Sequence, residues 1–144
     1  MSCSLCERVD LAGKGVYPYL IHEFQHSFLM LGEHQFFPGY SVLVLKPHFK
    51  EMTDIPEKIR SEFFAEMMAS SQAIEKAFSP DKMNMCSLGN VVPHVHWHFF
   101  PRHKSEPFFK DPPWLRMKDF SQASVSPEEA QQNIHKIRAH LSGA

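Results

Sequence analysis

The chain has 144 residues and a mass of 16.7 kDa, which suits one self-sufficient core rather than two full domains. Its 15 Lys and Arg residues almost balance 16 Asp and Glu residues, and the net charge of -1 excludes a global field that would hold nucleic acid or anionic lipid. No apolar run reaches the roughly 18 residues that cross a bilayer. The sequence therefore predicts a single domain over residues 1–144, with neither nucleic acid nor membrane as a partner.

The start of the chain lacks the basic residues and the apolar run of a signal peptide, so we expect a cytoplasmic protein. In that compartment Cys3, Cys6 and Cys86 are expected as reduced thiols or metal ligands rather than as a disulfide framework. Cys86 lies in a predicted strand, where it would serve as a small core residue.

The first half of the chain predicts three strands and one long helix. Short apolar runs over residues 16–21 and 27–31 indicate two strands connected around residues 23–26. The β-branched run 41–45 predicts a buried third strand. Phe and Met residues then recur at helical spacing after a capping pattern, which predicts a helix over residues 55–78 with an apolar face that packs on a sheet.

The second half predicts two more strands and a terminal helix. Residues 82–88 alternate moderately, and residues 94–100 alternate with a strict period of two between two prolines. The Pro-rich segment 102–125 is expected to be irregular and packed over the domain. A serine cap, a proline and a capping-box acid then predict a helix over about residues 126–141.

Three histidines carry the sharpest chemical signal. His94, His96 and His98 recur at every second residue, which in a strand places all three imidazoles on one face, while Val95, Trp97 and Phe99 face the other way. One histidine would most simply be a satisfied polar residue, but three in alternation favour a function. Imidazole clusters suit divalent metal binding, and they also suit proton transfer or nucleophilic attack near neutral pH. Spacing alone leaves both open.

The run His94-Val95-His96-Trp97-His98-Phe99-Phe100 resembles the His-φ-His-φ-His-φ-φ signature of the histidine triad (HIT) family, in which φ is apolar. The resemblance extends through residues 82–90 and 32–40 and covers about residues 1–115. It implies an α+β fold with a five-stranded antiparallel sheet, one long helix and a C-terminal helix in an extension. It also implies a homodimer in which the sheets of two chains join.

The resemblance further implies an enzyme that cleaves a purine nucleotide at its α-phosphate. The family's nucleophile maps onto His96, which would form a nucleotidyl-histidine intermediate that water hydrolyses. His98 would stabilise or protonate the phosphate and leaving-group side. His94 would orient His96 and hold its tautomer.

Three polar residues are candidates for nucleotide binding. Asn84 and Asn90 stand where relatives place polar side chains near the phosphates, although capping of turns or strand ends explains them equally well. Glu33 follows the second predicted strand, where many relatives carry an Asp or Asn for the ribose hydroxyls.

The pair Cys3-Ser4-Leu5-Cys6 has the spacing of half a tetrahedral zinc site. Some HIT proteins complete such a site with two histidines, and these positions correspond here to His48 and His94. The resemblance thus implies a structural zinc ion, with no cofactor required for the chemistry. Two free surface thiols are the alternative.

The leading hypothesis is a hydrolase of dinucleoside polyphosphates such as diadenosine tetraphosphate. A nucleoside phosphoramidase acting on AMP-lysine or AMP-NH2 is the alternative that shares the same chemistry. A nucleotide-binding regulatory module and a metal-dependent hydrolase with the triad as ligands belong to other classes. A nucleotidyl transferase is disfavoured, because such relatives typically read His-Pro-His where this chain reads His96-Trp97-His98.

Overall fold

A computed structural model describes residues 2–141 of the chain. The strands are β1 (Leu20–Glu23), β2 (Ser27–Leu31), β3 (Ser41–Leu45), β4 (Lys82–Cys86) and β5 (His96–Arg102). The helices are α1 (Ser4–Gly13), α2 (Glu57–Phe78), α3 (Met117–Phe120) and α4 (Pro127–Arg138), with single 3-10 turns at Met52–Asp54 and Pro113–Arg116. The strands form one antiparallel sheet in the order β1-β2-β3-β5-β4, which confirms the predicted fold class. None of the helices within residues 2–141 is long and apolar enough to cross a membrane.

The element bounds agree with the sequence at β2 and β3, and the other elements differ. The long helix α2 begins at Glu57 rather than residue 55, α4 ends at Arg138 rather than near residue 141, and the segment expected to be irregular contains α3. β1 begins at Leu20, because residues 17–19 turn after α1, and β4 ends at Cys86 rather than at residue 88. β5 begins at His96, because the backbone N–H of His94 closes a tight turn onto the carbonyl of Val92. The helix α1 was not predicted. Its N-cap is Cys3, whose sulfur accepts a hydrogen bond from the backbone N–H of Cys6.

The main core lies between one face of the sheet and the helices α2 and α4. It buries alternate residues of β2, β3 and β5 against both helices. Trp97 and Phe99 of β5 belong to this core, as does Val95 just before the strand, so the predicted division into an apolar face and an imidazole face is confirmed for β5 itself. The prediction that His94 continues the same strand is wrong, because β5 begins at His96.

Two smaller clusters cover the opposite face of the sheet. At one end, Leu5 and Ala12 of α1 pack on Phe28, Met30 and Val44. At the other end, aromatic residues of the C-terminal segment, including Phe108, Trp114 and Phe120, pack on the sheet, as expected for the Pro-rich stretch. His96 and His98 lie opposite Val44 and Val42 in the β3–β5 register, so they sit where these two covers meet.

The two edge strands of the sheet differ in whether another group covers their outer backbone atoms. On β1, Arg138 of α4 donates to the carbonyls of Ile21 and Leu20 at 2.8 and 3.1 Å. These bonds satisfy two strand-edge acceptors that would otherwise be open to another strand. Within residues 2–141, β4 pairs only with β5, so its outer side remains open to a further strand.

Arg102 is a fully buried charge that ties the irregular C-terminal segment to the sheet. Its Nε donates to the Glu106 carboxylate at 2.6 Å, and one Nη1–H donates to Asn84 Oδ1 at 2.9 Å. Further donations reach the carbonyls of Asp111 and Phe108, at 2.8 and 3.0 Å. Removing the guanidinium would leave the largely buried Glu106 carboxylate and the oxygens of Asn84, Asp111 and Phe108 without their hydrogen-bond donor.

We therefore expect Arg102→Met to lower the free energy of unfolding by about 3–5 kcal/mol. Urea unfolding followed by circular dichroism measures this loss. Lys104→Met, an exposed position two residues further on, is the matched control and should change the free energy by less than about 0.5 kcal/mol. A loss below about 1 kcal/mol for Arg102→Met would show that this network does not hold the segment.

Candidate active site

The alternation of β5 brings His96 and His98 into one cleft. Their ring centroids lie 4.9 Å apart, and both rings line a cavity of about 380 Å³ together with Asn90. His94 precedes the strand, and its ring is hydrogen-bonded to the carbonyl of Leu45, the last residue of β3. The structure thus assembles two of the histidines in the cleft, and the third contacts His96 through its backbone carbonyl.

His96 has one ring nitrogen held as a donor. Its Nδ1–H donates to the backbone carbonyl of His94 at 2.5 Å. The proton on Nδ1 leaves Nε2 with a free lone pair, which is the form of imidazole that attacks an electrophile. The backbone of His96 is fixed as well, because Ser87 Oγ donates to its carbonyl at 2.6 Å.

His98 is held in the complementary state. Its Nδ1 lies 2.7 Å from the hydroxyl of Tyr40, and burial raises the pKa of Tyr40, so the hydroxyl keeps its proton and is able to donate to Nδ1. Burial also lowers the pKa of His98 to about 3. The ring is therefore neutral at pH 7. When Tyr40 donates to Nδ1, the ring proton lies on Nε2, which suits hydrogen bonding to a phosphate oxygen rather than delivery of a proton as an imidazolium.

Tyr40 occupies its position because of a glycine. A Cβ on Gly32 would lie 2.1 Å from a ring carbon of Tyr40, so only a residue without a side chain allows this approach. On the other side, the ring of Tyr40 stacks on His34 at 4.6 Å, and His34 stacks on Phe120 at 4.1 Å. Burial between these rings lowers the pKa of His34 to about 4. Sequence reasoning assigned no role to Tyr40 or His34.

The three predicted nucleotide-binding residues are not all near the pair. Asn90 lines the cleft with His96 and His98. Glu33 lies at a second cavity and pairs with Arg8 of α1 at 3.2 Å. Asn84 instead accepts from Arg102 and lies outside the lining of both cavities.

The second cavity lies between α1 and strands β2 and β3, on the face that carries His96 and His98. It has a volume of about 140 Å³ and is lined by Arg8, Tyr17, Met30, Leu31, Gly32, Glu33, His34, Tyr40, Val42 and Val44. Its apolar residues suit contact with part of a flat base, and the Glu33 carboxylate, paired with Arg8, is an acceptor for ribose hydroxyls. Because α1 was not predicted, the contribution of Arg8 could not be anticipated.

Cys3, Cys6, His48 and His94 form a group that could hold a metal ion. Their ligand atoms all lie within 4.8 Å of one another. Cys6 Sγ is 3.2 Å from His48 Nδ1 and 3.4 Å from His94 Nδ1, and Cys3 Sγ is 3.5 Å from His94 Nδ1. Bond lengths for tetrahedral zinc place sulfur and nitrogen ligands about 3.6 Å apart, so the four residues fit such an ion.

Protonation in this group also suits a metal. His94 Nε2–H donates to the Leu45 carbonyl at 2.6 Å, which leaves Nδ1 unprotonated and turned to the sulfurs. Burial lowers the pKa of His94 and raises that of the Cys6 thiol. A metal would therefore meet a neutral imidazole and would displace a proton from Cys6. Cys86 lies apart, beside the aromatic cluster of the C-terminal segment.

Sequence comparison shows which known proteins this chain resembles. The sequence profile of the HIT domain matches residues 16–105. The asymmetrical bis(5'-nucleosyl)-tetraphosphatase of Schizosaccharomyces pombe is 28% identical over 74 residues, which are 48% of this chain and 41% of the relative. Adenylylsulfatase HINT3 of Arabidopsis thaliana is 25% identical over 108 residues, which are 72% of this chain and 52% of the relative. The chain thus spans about half the length, or less, of these curated relatives.

A solved structure shares the fold over nearly the whole chain. The zinc-bound histidine triad family protein of Mycobacterium smegmatis superposes with a TM-score of 0.68 at 22% identity, covering 99% of this chain and 94% of that chain.

Acid should destabilise the protein through His98 and His34. Both pKa values lie below the value of about 6.5 in an unfolded chain, so the unfolded state binds protons first as the pH falls. Stability is then complete above about pH 6.5 and declines toward pH 3–4, by up to about 2 kcal/mol for each residue at pH 5. Urea unfolding at pH 7.5 and pH 5 measures the decline. In His98→Gln it should shrink by about 1–2 kcal/mol, and an unchanged decline would contradict the assignment.

Proposed function

Because the chain belongs to the HIT domain family, we propose that it hydrolyses purine nucleotides at the α-phosphate through a nucleotidyl intermediate on His96. The observation that carries this proposal is the hydrogen bonding of the two rings, whose centroids lie 4.9 Å apart. The Nδ1–H of His96 donates to the His94 carbonyl, which leaves Nε2 of the neutral ring free to attack. With Tyr40 as the donor to its Nδ1, His98 would carry its proton on Nε2. A nucleophile and a hydrogen-bond donor therefore stand side by side in one cleft.

In the proposed reaction, His96 Nε2 attacks the α-phosphorus, and the bond to the leaving group breaks. Water then attacks the phosphorus and releases the nucleoside monophosphate together with free His96. His98 donates from Nε2 to a phosphate oxygen, and this bond strengthens as charge builds up on the oxygen. His94 acts as a positioning residue, because its carbonyl holds the Nδ1 proton of His96.

Binding of the substrate is divided between the two cavities. We assign the nucleoside to the cavity between α1 and β2–β3, where Glu33 would accept from the ribose hydroxyls and Arg8 would orient its carboxylate. Asn90 is assigned to the phosphates, since it lines the cleft of the histidine pair. Asn84 is given no contact with the substrate, because its amide oxygen accepts a hydrogen bond from Arg102.

The leaving group is the finer part of the proposal. A nucleoside polyphosphate, as in diadenosine tetraphosphate, is the first candidate from the sequence. The S. pombe relative, named as a tetraphosphatase, supports it. An amine, as in a nucleoside phosphoramidate, would leave by the same chemistry.

The proposed chemistry does not run through a metal. Of residues 2–141, the metal-capable group contains His94 but neither His96 nor His98. We propose that Cys3, Cys6, His48 and His94 hold a structural zinc ion, as the zinc-bound M. smegmatis neighbour also suggests. Such an ion would connect α1 to the ends of β3 and β5, and it would require the reducing conditions of the cytoplasm to keep the thiols free.

We also propose a homodimer. β4 is an outer strand whose outward side is unpaired within the described chain, whereas Arg138 covers the edge at β1. A second copy that adds its own β4 would satisfy the open backbone groups and extend the sheet.

His96→Gln should abolish turnover, because the amide cannot carry the nucleotidyl group. We expect kcat to fall by about 10³-fold or more. Chromatography of diadenosine tetraphosphate and of AMP-NH2 incubated with the wild type should show AMP, with ATP as the second product in the first case. EDTA should leave the chemistry intact over short incubations.

His103→Gln is the matched control for that substitution, because it changes a histidine that lies outside the cleft and the metal group. Retention of activity in His96→Gln would remove His96 as the nucleophile. Reversible loss of activity with EDTA while the fold persists would favour a metal-dependent hydrolase instead.

Cys6→Ser should remove the zinc ion while changing no residue that lines the cleft. We expect zinc content to fall from about one equivalent to a small fraction, and the melting temperature to fall by about 5–10 °C. Elemental analysis and differential scanning calorimetry measure the two effects. Cys86→Ser, outside the group, should keep its zinc, and equal zinc content in both variants would rule out this site.

A further inference from the structure

A buried amide holds the loop between β2 and β3. Gln35 is only 8% exposed. Its Nε2 lies at hydrogen-bonding distance from the backbone carbonyls of Tyr40, His34 and Gly32, at 2.9, 3.1 and 3.2 Å. Its Oε1 accepts from the backbone N–H of Gly39 at 2.8 Å. Because carbonyls only accept and a backbone N–H only donates, these neighbours determine which end of the amide faces which way.

These bonds fix the backbone of Tyr40. Its carbonyl accepts from Gln35 and also from the backbone N–H of Gly32 at 2.9 Å, while its own N–H donates to the carbonyl of Phe37 at 2.9 Å. The fixed backbone directs the tyrosine ring, whose hydroxyl lies 2.7 Å from His98 Nδ1. The hydrogen-bond partner of His98 is therefore held in place by Gln35, which does not itself line the cleft.

The C-terminal part of the chain anchors Gln35 from outside the loop. Asn133 of α4 is 7% exposed and donates from Nδ2 to Gln35 Oε1 at 3.2 Å. Ile134 and Ile137 of the same helix belong to the main core, so the packing of α4 fixes Asn133. The backbone N–H of Gln35 donates to the carbonyl of Ala123 at 2.9 Å. Both anchors lie beyond residue 105, where the match to the HIT domain ends.

The position of the tyrosine hydroxyl bears on which nitrogen of His98 carries the proton. A neutral imidazole has one ring proton, and the hydrogen bond at one nitrogen decides which nitrogen holds it. With Tyr40 as the donor, Nδ1 accepts and Nε2 carries the proton. Without a donor at Nδ1, the proton distributes over both nitrogens, and fewer rings are able to donate from Nε2.

We propose that Gln35, anchored by Asn133, is a positioning residue for His98, because it holds Tyr40 where the hydroxyl donates to Nδ1. The inference rests on the proposed function only for its effect on turnover. The location of the His98 proton is a property of the free protein, so it is measured without a substrate. Gln35 makes no contact with the substrate in this proposal, and its influence passes through Tyr40.

Nitrogen-15 NMR of the histidine rings shows directly where the proton lies. Protonated and unprotonated ring nitrogens differ in chemical shift, and the His98 signals are those missing from His98→Gln. At pH 7 the wild type should show an unprotonated Nδ1 and a protonated Nε2. Tyr40→Phe, which lacks the hydroxyl, should move the two signals toward each other. Gln35→Met, which keeps the length of the side chain but removes the amide, should move them in the same direction.

Turnover tests the route from Gln35 to His98. The substrate is whichever of diadenosine tetraphosphate and AMP-NH2 the wild type cleaves. Gln35→Met and Tyr40→Phe should each lower kcat by about 2- to 10-fold, the range that one hydrogen bond supplies. Because Gln35 acts through Tyr40, Gln35→Met should cause no further loss in the Tyr40→Phe background. Losses that multiply in the double variant are the result of a purely structural role and would overturn the proposal.

Ile137→Val is the matched control, because Ile137 is fully buried on α4 and its side chain forms no hydrogen bond. It should loosen the packing of α4 while leaving the His98 signals and kcat as in the wild type. Asn133→Leu covers the case in which Gln35→Met does not fold. It removes only the bond from α4 to the amide, and it should shift the His98 signals in the same direction by a smaller amount.

The outcomes separate this inference from the function beneath it. A proton on Nδ1 of His98 in the wild type, or unchanged His98 signals in Tyr40→Phe, would overturn the inference. So would unchanged signals in Gln35→Met, or in Asn133→Leu where Gln35→Met does not fold. If the folded wild type cleaves neither substrate, the proposed function fails, and the NMR measurement still decides whether Gln35 positions His98.

Discussion

The hydrogen bond from His96 Nδ1 to the carbonyl of His94 is the constraint on which the site depends. It decides which nitrogen of His96 is free, and it makes the position of His96 depend on the backbone at residue 94. That backbone is held in turn by the ring of His94, which donates to Leu45 and faces the two cysteines. The orientation of His96, the proposed nucleophile, therefore depends on the cysteine and histidine group that holds His94.

The second constraint is that the histidines His98 and His34, buried beside the cleft, are uncharged. Tyr40, His34 and Phe120 form a stack, and Tyr40 binds His98 through its hydroxyl. Burial keeps both histidines uncharged at pH 7, so in the proposed reaction His98 serves as a hydrogen-bonding group rather than as a titrating acid.

How far sequence alone leads can be judged from particular residues. Period-two alternation correctly placed His96 and His98 on one face, because strand geometry is local. The metal-capable residues were also anticipated, Cys3 and Cys6 from their spacing and His48 and His94 through the resemblance, and the four do meet in space. The helix α1 was missed, since its apolar face is narrow and its cap is a cysteine, which is not among the preferred capping residues.

Contacts between residues that are distant in the chain could not be predicted, for a different reason. Asn84 has the residue type and the position of a phosphate ligand, yet the buried charge of Arg102 claims its amide oxygen. Arg102 lies 18 residues away in the chain, and no local pattern marks it as a competitor. The same holds for Met117 and Trp114, which arrive from a Pro-rich segment without periodicity and nevertheless form one wall of the cleft. The spacing of His96 and His98 along β5 is a local signal, whereas the C-terminal segment is positioned by the packing of Trp114 against His98 and Phe100, which no local pattern encodes.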